Sequence, residues 1–474
     1  MFKLRPYQKA AVDAGLALFQ SASKIHSGVA VLPTGSGKSL VIASIANELE
    51  GHTIVFQPSK EILEQNLEKT KAFGFDDVGV FSASAGRKEI GKLTFATIGS
   101  VMNKQEQFDH FENIIIDECH AVNAKGGMYA DFIKRNGGKV LGLTATPYRL
   151  HNYNDNKTDE KAVVAKFLHR TRPKMFDDII HVTQVKELYE QGFLCPVEYH
   201  ESTDYVHSDI KLNSTGMDFD REALKKYNEQ RGLVGQVARS IVQHKAKHAL
   251  VFCVFVEEAE TLSVQLRELG IAAQSISAQT PKAEREQLLK DFKSGDVQVI
   301  TNVGVLTTGF DFPELDCVIL ARPTQSVALY YQMVGRGIRI APKKESVKVV
   351  DLCGNVARFG RIEEFEIVEE KKGHHRLKSN VSYLTGFDFV SNEDLELRDY
   401  AGKTEREYQA AAGIIPFGKH KGMHIKKLPN GYLQWAAENF TDGKWKQAFA
   451  TELQRRGAPQ KAEPTEPDRS LWGF

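Results

Sequence analysis

The chain of 474 residues is too long for one hydrophobic core, so two or three domains are expected. A hydrophobic content of 42% and a charged content of 26% are ordinary for a globular protein, and a net charge of +1 excludes a globally basic surface. The 5 cysteines form no C-x-x-C pair, which predicts reduced thiols and no structural zinc. With no apolar run of membrane-spanning length and no secretory signal, we expect a cytoplasmic protein without a membrane partner.

Short apolar runs alternate with helical patterns up to residue 360, which is typical of an α/β fold with parallel sheets covered on both faces. A first domain is predicted over residues 1–180, with buried strands at residues 29–32, 53–56, 93–96, 114–116 and 140–143. A second domain is predicted over residues 181–362, with strands at residues 249–253, 272–276, 297–300, 318–320 and 347–350. The polar stretch 153–174 is predicted to be a mobile loop, and the hinge between the domains is expected near residue 180.

The character of the sequence changes after residue 362. Residues 363–412 are densely charged and are predicted to be a linker, with His374 and His375 solvated rather than part of a metal site. Residues 413–458, which contain Trp435 and Trp445, predict a small α+β or mostly helical module, and residues 459–474 predict a flexible tail. The Gly-Lys-His-Lys-Gly run at 418–422 fits either a phosphate-binding turn or an ordinary surface loop, and the composition leaves both open.

A phosphate-binding loop is predicted at residues 32–39, Leu-Pro-Thr-Gly-Ser-Gly-Lys-Ser, between a strand and a helix. Glycines allow several backbone N–H groups to point at one anion, and the helix N-terminus adds its dipole. Lys38 is expected to reach the β- and γ-phosphates, and the Ser39 hydroxyl to ligate Mg²⁺. Leu32 stands where the strict pattern has its first glycine. The residues predicted to bind ATP here are Thr34, Gly35, Ser36, Gly37, Lys38 and Ser39.

Two further segments carry charge suited to the same ligand. Asp117 and Glu118 follow a buried strand, at the edge where open α/β sheets present their ligands, so Asp117 is predicted to hold Mg²⁺ and Glu118 to polarise the attacking water. The segment 332–339 contains Arg336 and Arg339, which would share one face of a helix and reach one anion. Arginines in that role stabilise charge on a transferring phosphoryl group.

These segments resemble the motifs of superfamily 2 helicases and translocases. Asp-Glu-Cys-His at 117–120 and Leu-Thr-Ala-Thr-Pro at 143–147 resemble motifs II and III, residues 306–313 resemble motif V, and residues 332–339 resemble motif VI. Leu-Arg-Pro-Tyr-Gln at 4–8 resembles the adenine-recognising Gln motif. The resemblance implies two tandem RecA-like domains, adenine contacts from Arg5 and Gln8, a ribose contact from Asp311, and a catalytic role for Gln332 beside Arg336 and Arg339.

The motif sequences within residues 1 to about 360 most resemble those of the RadD-like branch of bacterial DNA-repair ATPases, and more loosely those of XPB-like and type III restriction translocases. The family's cysteine-based zinc site has no counterpart among these cysteines. Strand-contacting segments are expected on the other side of the cleft, and they contact phosphates rather than base edges, so binding should be largely independent of sequence. The predicted nucleic-acid contacts are Lys60, Thr97, Ser100, Thr144, Thr146, Thr280, Thr307 and Thr308.

The sequence therefore predicts an ATP- and Mg²⁺-dependent DNA helicase or translocase acting in repair or recombination. Single-stranded, forked or branched DNA is the expected partner, and the C-terminal region could bind a replication or repair protein. Two alternatives remain at this point. One is a DNA-stimulated ATPase that remodels protein–DNA complexes without unwinding, and the other is a nucleic-acid-binding scaffold with an inactive nucleotide site.

Overall fold

The computed structural model describes residues 4–385, apart from 23–24, 73, 76, 124–125, 155–160, 172, 203–204, 308 and 382, and residues 424–456, apart from 440–442. The chain divides into two compact units, residues 1–389 and residues 390–474. The first unit contains both large sheets. None of the described helices is long and apolar enough to cross a membrane.

The first sheet has eight strands in the order β10-β1-β7-β6-β2-β5-β3-β4. All neighbouring pairs are parallel except β3 and β4, which are antiparallel. The strands are β1 (Ser27–Val31), β2 (His52–Phe56), β3 (Val78–Ser82), β4 (Arg87–Lys88), β5 (Leu93–Ala96), β6 (Phe111–Asp117), β7 (Lys139–Thr144) and β10 (Asp178–Val182). Five of these are the strands predicted from the apolar runs, and the sequence did not identify β3, β4 and β10.

The helices of this part are α1 (Pro6–Gln20), α2 (Lys38–Glu48), α3 (Lys60–Ala72), α4 (Ile98–Met102) and α5 (Met128–Asn136). Helix α1 begins with a proline at its first position and a capping box in which Gln8 accepts a hydrogen bond from the backbone N–H of Arg5. Its buried face, which includes Ala11, Val12 and Leu18, packs into the core of the first sheet.

The second sheet has six strands, all parallel, in the order β11-β16-β15-β12-β14-β13. The strands are β11 (Val197–Glu201), β12 (Ala249–Cys253), β13 (Ala273–Ser277), β14 (Val299–Val303), β15 (Cys317–Ala321) and β16 (Val347–Asp351). The helices are α6 (Val185–Glu190), α7 (Arg221–Gln230), α8 (Leu233–His244), α9 (Val256–Glu268), α10 (Lys282–Ser294), α11 (Val327–Val334) and α12 (Asn355–Phe359). Every residue of β12 and β15 is buried, as expected for strands covered on both faces. The prediction of two parallel α/β domains is confirmed.

Two stretches differ from the sequence prediction. Part of the predicted mobile loop forms the antiparallel hairpin β8 (Tyr148–Asn154) and β9 (Lys161–Phe167), because Val164, Ala165 and Phe167 are buried. Part of the predicted charged linker forms a second hairpin, β17 (Glu366–Lys371) and β18 (His374–Lys378). The side-chain amide of Gln184 fixes this second hairpin by donating to the carbonyl of Ile367 at 2.8 Å and accepting from its N–H at 2.9 Å.

The C-terminal unit is described over residues 424–456 and contains two helices, α13 (Asn430–Asn439) and α14 (Gly443–Arg455). Leu433, Ala436, Trp445 and Phe449 form its core. The buried carboxylate of Glu452 binds Arg455 and Arg456, each at 2.8 Å. Residues 418–422, the flexible-tail prediction and the linker beyond residue 385 lie outside the described residues.

Candidate nucleotide site between the two sheets

The phosphate-binding loop leaves β1 and ends in the first turn of α2, which begins at Lys38. Gly35 and Gly37 have φ angles of 82° and 84°, the left-handed region that side chains rarely adopt. A Cβ atom on Gly37 would also lie 2.6 Å from Nε2 of Gln8. Both the backbone conformation and the space therefore require glycine at position 37.

Lys38 and Glu118 form the central ion pair of the first half, with Nζ 2.8 Å from Oε1. The other oxygen of Glu118 lies 3.3 Å from Nδ1 of His120. Glu118 has a φ angle of 48°, and only two other described non-glycine residues have positive φ. Such strained backbone conformations cluster at functional sites, and here the strain directs a carboxylate into the cleft at the end of β6.

The two neighbouring carboxyl groups have opposite pKa shifts. Burial, together with the neighbouring charge of Glu118, raises the pKa of Asp117 to about 6. Burial also opposes ionisation of Glu118, but Lys38 and His120 outweigh it and hold the pKa of Glu118 well below its usual range. Among the described residues the buried carboxylate of Asp117 forms no ion pair, whereas Glu118 is held in its charged form.

Asn66, on α3, connects the predicted metal ligands and was not identified from the sequence. Its Nδ2 donates to Asp117 at 3.0 Å and to Oε1 of Gln57 at 3.0 Å, and its Oδ1 accepts from the Ser39 hydroxyl. Ser39 and Asp117 thus share one hydrogen-bonding partner. A hydroxyl and a buried, uncompensated carboxylate are hard oxygen ligands, and they fit the requirements of Mg²⁺.

One face of α3 borders the cleft, at residues 62, 65, 66 and 69. This i, i+3, i+4, i+7 spacing is the signal that could have identified the face from the sequence. Gln65 donates to the carbonyl of Gly309 at 2.9 Å, and Lys69 binds Asp311 at 3.2 Å. The first half is therefore in direct contact with the segment that contains Asp311.

The arginines come from the second half and differ in one respect from the prediction. Helix α11 ends at Val334, so Arg336 and Arg339 lie on the turn that follows it rather than on one helix face. Both guanidinium groups still meet at one point, because each donates to the carbonyl of Phe310, at 3.0 Å and 2.9 Å. Arg339 also binds Asp311 at 2.8 Å. Burial and the neighbouring Arg339 lower the pKa of Arg336 to about 9.

The two halves approach each other closely around the phosphate-binding loop. The backbone N–H of Thr34 donates to the hydroxyl of Tyr331 on α11 at 3.3 Å. A Cβ atom on Gly335 would lie 3.2 Å from the hydroxyl of Thr34. The cleft between them is lined by eleven of the predicted residues: Arg5, Thr34, Gly35, Gly37, Lys38, Ser39, Asp117, Glu118, Asp311, Arg336 and Arg339.

Gln8 and Ser36 are the two predicted ATP-binding residues that do not line this cleft. Gln8 is 5% exposed and both ends of its amide are hydrogen-bonded, since Oε1 accepts from the backbone N–H of Arg5 at 3.0 Å and Nε2 donates to the carbonyl of Ser36 at 2.8 Å. Gln8 therefore supports the phosphate-binding loop from behind. Arg5 lies in the cleft, with its guanidinium 4.1 Å from the ring centre of Phe193, which the sequence did not single out.

Gln332 lies outside the cleft lining and bridges the two halves. Its Nε2 is 3.2 Å from Nε2 of His120 and 3.5 Å from the hydroxyl of Thr146. His120 in turn contacts the hydroxyl of Thr144 at 2.9 Å through Nδ1. Thr144 and Thr146 are 0% exposed in this structure, and their direct contact with nucleic acid stays a prediction. They form part of a buried chain from Gln332 to Glu118.

The remaining predicted nucleic-acid residues that the structure describes are partly exposed and lie in both halves. Lys60, which opens α3, pairs with Glu64 at 3.2 Å. Thr97 and Ser100 lie together, with their hydroxyl oxygens 2.9 Å apart. Thr280 precedes α10 and accepts from the N–H of Ser277 at 3.0 Å. Thr307 lies in the turn after β14, and Thr308 lies outside the described residues.

Two mainly parallel sheets, with a glycine-rich phosphate loop on one and paired arginines on the other, are the architecture of two RecA-like domains that share one nucleotide site. Family models agree with this class. Residues 1–149 match "Type III restriction enzyme, res subunit", and residues 233–341 match "Helicase conserved C-terminal domain". Residues 406–454 match "Putative quorum-sensing-regulated virulence factor".

Similar proteins point to the same class. The chain is 24% identical over 382 residues to "Putative ATP-dependent helicase IRC3" of Saccharomyces cerevisiae, covering 74% of this chain and 51% of that protein. It is 27% identical over 330 residues to "DNA 3'-5' helicase XPB" of Kineococcus radiotolerans, covering 67% of this chain and 53% of that protein. A fragment of a type I restriction HsdR subunit from Vibrio vulnificus has a similar fold, with a TM-score of 0.54 and 20% identity over 75% of this chain and 65% of that one.

The chain is similar to the superfamily 2 helicases and translocases, in the branch of the XPB and type III restriction enzymes. The resemblance seen in the sequence is confirmed at this level. The chain spans about half the length of these two curated relatives.

Proposed function

We propose that this protein is an ATP-dependent DNA translocase or helicase that couples hydrolysis to movement of one α/β half against the other. The observation that carries the proposal is the composition of the cleft. Lys38 and Glu118 reach it from the first half, and Arg336 and Arg339 reach it from the second. A triphosphate between them would contact both halves, and its hydrolysis would remove part of that contact.

In this proposal the phosphate-binding loop holds the triphosphate through its backbone N–H groups and Lys38. Glu118 orients and polarises the water that attacks the γ-phosphorus, and the bond between that phosphorus and the β-γ bridging oxygen breaks. The lowered pKa of Glu118 keeps it ionised and able to accept a hydrogen bond from the water. Arg336 and Arg339 stabilise the negative charge on the transferring phosphoryl group.

Ser39 and Asp117 are the residues that would hold Mg²⁺, with Asn66 fixing both of them. The ion would supply charge neutralisation at the β- and γ-phosphate oxygens. Its charge would also favour ionisation of Asp117, whose pKa burial raises to about 6.

DNA is the proposed track, because the relatives named above include a DNA helicase. The partly exposed hydroxyls of Thr97, Ser100 and Thr280, with Lys60, are suited to phosphate contacts that do not depend on base sequence. Repair or recombination is the proposed setting. A protein partner bound through the C-terminal unit belongs to the same proposal.

The test is phosphate release by the full chain, with and without single-stranded or forked DNA. We expect DNA to stimulate hydrolysis, and Glu118→Gln to retain ATP binding while turnover falls by at least about 100-fold, as for other well-placed acid–base groups. Glu268→Gln, an exposed acid on α9, is the matched control and should behave as the wild type. Undiminished hydrolysis in Glu118→Gln would remove that residue from its proposed role.

A strand-displacement assay distinguishes a helicase from a remodelling ATPase. A helicase releases a labelled strand from a forked duplex when ATP is hydrolysed. A remodelling ATPase instead displaces a bound protein from DNA without releasing the strand. Absence of ATP hydrolysis under every condition would favour the inactive scaffold.

A further inference from the structure

Three metal-ligating side chains meet at a place that the nucleotide site does not use. His169 lies in the turn that follows β9, Asp178 begins β10, and His375 lies in β18. Each offers one ligand atom, and these atoms all lie within 4.8 Å of one another. Within the part of the chain that the structure describes, this is the one group of three or more His, Cys, Asp or Glu side chains so arranged.

The hydrogen bonds of His169 leave one nitrogen available for a ligand. Its Nε2 lies 3.0 Å from the carbonyl of Gly373, and a carbonyl only accepts, so Nε2 carries the proton. In the neutral ring the lone pair is then on Nδ1. A ring N–H donated to a backbone carbonyl is the usual way in which a metal-binding imidazole is oriented.

Both histidines have a buried nitrogen without a hydrogen-bonding partner, Nδ1 of His169 and Nδ1 of His375. His169 is only 4% exposed, so bulk water is excluded from most of its surface. An unpaired buried polar atom is destabilising, and native structures usually compensate it.

We propose that His169, Asp178 and His375 form a binding site for a divalent transition-metal ion, with Zn²⁺ as the ion that fits best. Two imidazole nitrogens and one carboxylate oxygen are a zinc ligand set, whereas Mg²⁺ prefers oxygen ligands alone. Tetrahedral ligands about 2.1 Å from one zinc ion lie roughly 3.4 Å apart, so the ligand atoms would have to approach one another by at most roughly 1.4 Å when zinc binds. The fourth ligand would be a water molecule.

The position of the site indicates a structural role. Asp178 is in the edge strand of the first sheet, while His375 is in the hairpin that follows the second sheet. Gln184 already bonds this hairpin through Ile367, and His169 bonds it through Gly373. A metal ion would fix the same hairpin to the first sheet. The expectation of no structural zinc rested on cysteine spacing and did not consider histidines from separate segments.

The experiment is zinc binding to the full chain after removal of metals with a chelator, in the absence of ATP and Mg²⁺. We expect one high-affinity Zn²⁺ per chain, measured by elemental analysis and by competition with a zinc-sensitive dye. Affinity should fall more than about 100-fold in His169→Gln and in His375→Gln, because loss of a group that merely orients a ligand already costs about 10- to 100-fold. His374→Gln, which changes the exposed histidine next to His375, is the matched control and should bind zinc normally.

A second measurement keeps the test decisive if a histidine variant folds poorly. Asp178→Asn retains the shape of the side chain and should also weaken zinc binding, with an unchanged circular dichroism spectrum. Zinc should raise the melting temperature of the wild type but not that of Asp178→Asn. The proposal is wrong if the wild type binds no zinc above the level of the three variants, or if His374→Gln loses as much affinity as His375→Gln. None of these outcomes depends on the proposed ATPase activity.

Discussion

The two halves of the cleft both carry buried charge, but they compensate it differently. In the first half the charged groups bind one another, since Glu118 contacts Lys38 at 2.8 Å and His120 at 3.3 Å. In the second half Arg336 donates to the carbonyls of Phe310 and Gln332, and among the described residues it forms no ion pair. Only Arg339 has a carboxylate, that of Asp311.

This difference indicates which half depends more on the ligand. In the first half Lys38 and Glu118 already have partners of opposite sign, and Asp117 is the exception. Arg336 is 7% exposed, and the hydrogen bonds that the structure describes for its guanidinium go to carbonyl oxygens. A buried cation without an anion gains most when negative charge arrives beside it. We therefore expect the transition state, in which charge moves onto the γ-phosphoryl group, to depend most strongly on the second half.

The largest expected effect follows from removing Arg336. Arg336→Ala should lower ATP turnover by about 10³- to 10⁵-fold, the range known for arginines that stabilise phosphoryl transfer. DNA affinity should change little, because the guanidinium faces the cleft. Single-turnover phosphate release and DNA binding are the two measurements.

Arg336→Lys and Arg239→Ala complete this test. Lysine keeps the charge but cannot donate to the Gln332 and Phe310 carbonyls as a planar fork, so it should not restore activity. Arg239 is exposed on α8, and its removal should have no effect on turnover. If DNA binding collapses in Arg336→Ala instead, the residue belongs to the nucleic-acid site and the comparison between the halves fails.

Much of this site could be predicted from the sequence, because each of its parts is a short contiguous sequence motif. The phosphate-binding loop, the Asp117-Glu118 pair and the arginines each follow a predicted strand or helix within a few residues. Their convergence follows from the rule that parallel strands present ligands at their carboxyl ends. The exact position of Arg336 did not follow, since α11 ends at Val334 and the chain turns there.

The features that were missed depend on contacts between distant segments. Asn66 acquires its role only when α3 packs beside the end of β6, 51 residues further along the chain. The hairpin at residues 366–378 reads as a charged linker, yet His169 meets Gly373 across 204 residues. Gln8 matched its motif, but its amide is engaged by Arg5 and Ser36 in this structure. Local patterns identify residue types and do not reveal such partners.

The second half has another buried group that lies beside an arginine, His207, and we expect it to make the stability of the protein depend on acid pH. Nη1 of Arg358 is 3.3 Å from Nδ1 of His207, and Nε2 of His207 contacts the carbonyl of Cys353. Burial, and then Arg358, lower the pKa of His207 to about 4 from an ordinary value of 6.5. Between pH 4 and pH 6.5 His207 binds a proton in the unfolded chain but not in the folded protein. The contribution of His207 to the free energy of unfolding is therefore complete above pH 6.5 and is lost as the pH falls towards 4.

The expected loss from this one group is about 1–3 kcal/mol, since one unit of pKa difference is worth about 1.4 kcal/mol. Urea midpoints at pH 7.5 and pH 5 measure it, as the difference between wild type and His207→Gln. The stability advantage of the wild type should shrink at pH 5. His26→Gln, at an exposed position before β1, should show the same difference at both pH values. An advantage for His207 that grows in acid would reverse the sign and contradict the assignment.

The smallest expected effect concerns the contact that joins the halves, between Gln332 and His120. Gln332 belongs to the arginine segment, and His120 contacts Glu118, so their 3.2 Å contact connects the two differently compensated sides. Gln332→Ala should lower DNA-stimulated turnover by about 2- to 10-fold while basal turnover changes less. Gln274→Ala, an exposed glutamine on β13, is the control.

A double-mutant cycle with His120→Ala isolates this contact. His120→Ala alone also removes a partner of Glu118, but that loss occurs with and without Gln332 and therefore cancels in the cycle. If this contact couples the movement of the two halves, the cycle should give a coupling energy of about 0.5–1.5 kcal/mol in stimulated turnover. That value is within the range for residues in one hydrogen-bonded network. If the effects of the two substitutions on stimulated turnover are strictly additive, the contact between Gln332 and His120 does not couple the two halves. In that case movement of one half would have to reach the other through the remaining contacts, such as those of Lys69 with Asp311 and of Gln65 with the Gly309 carbonyl.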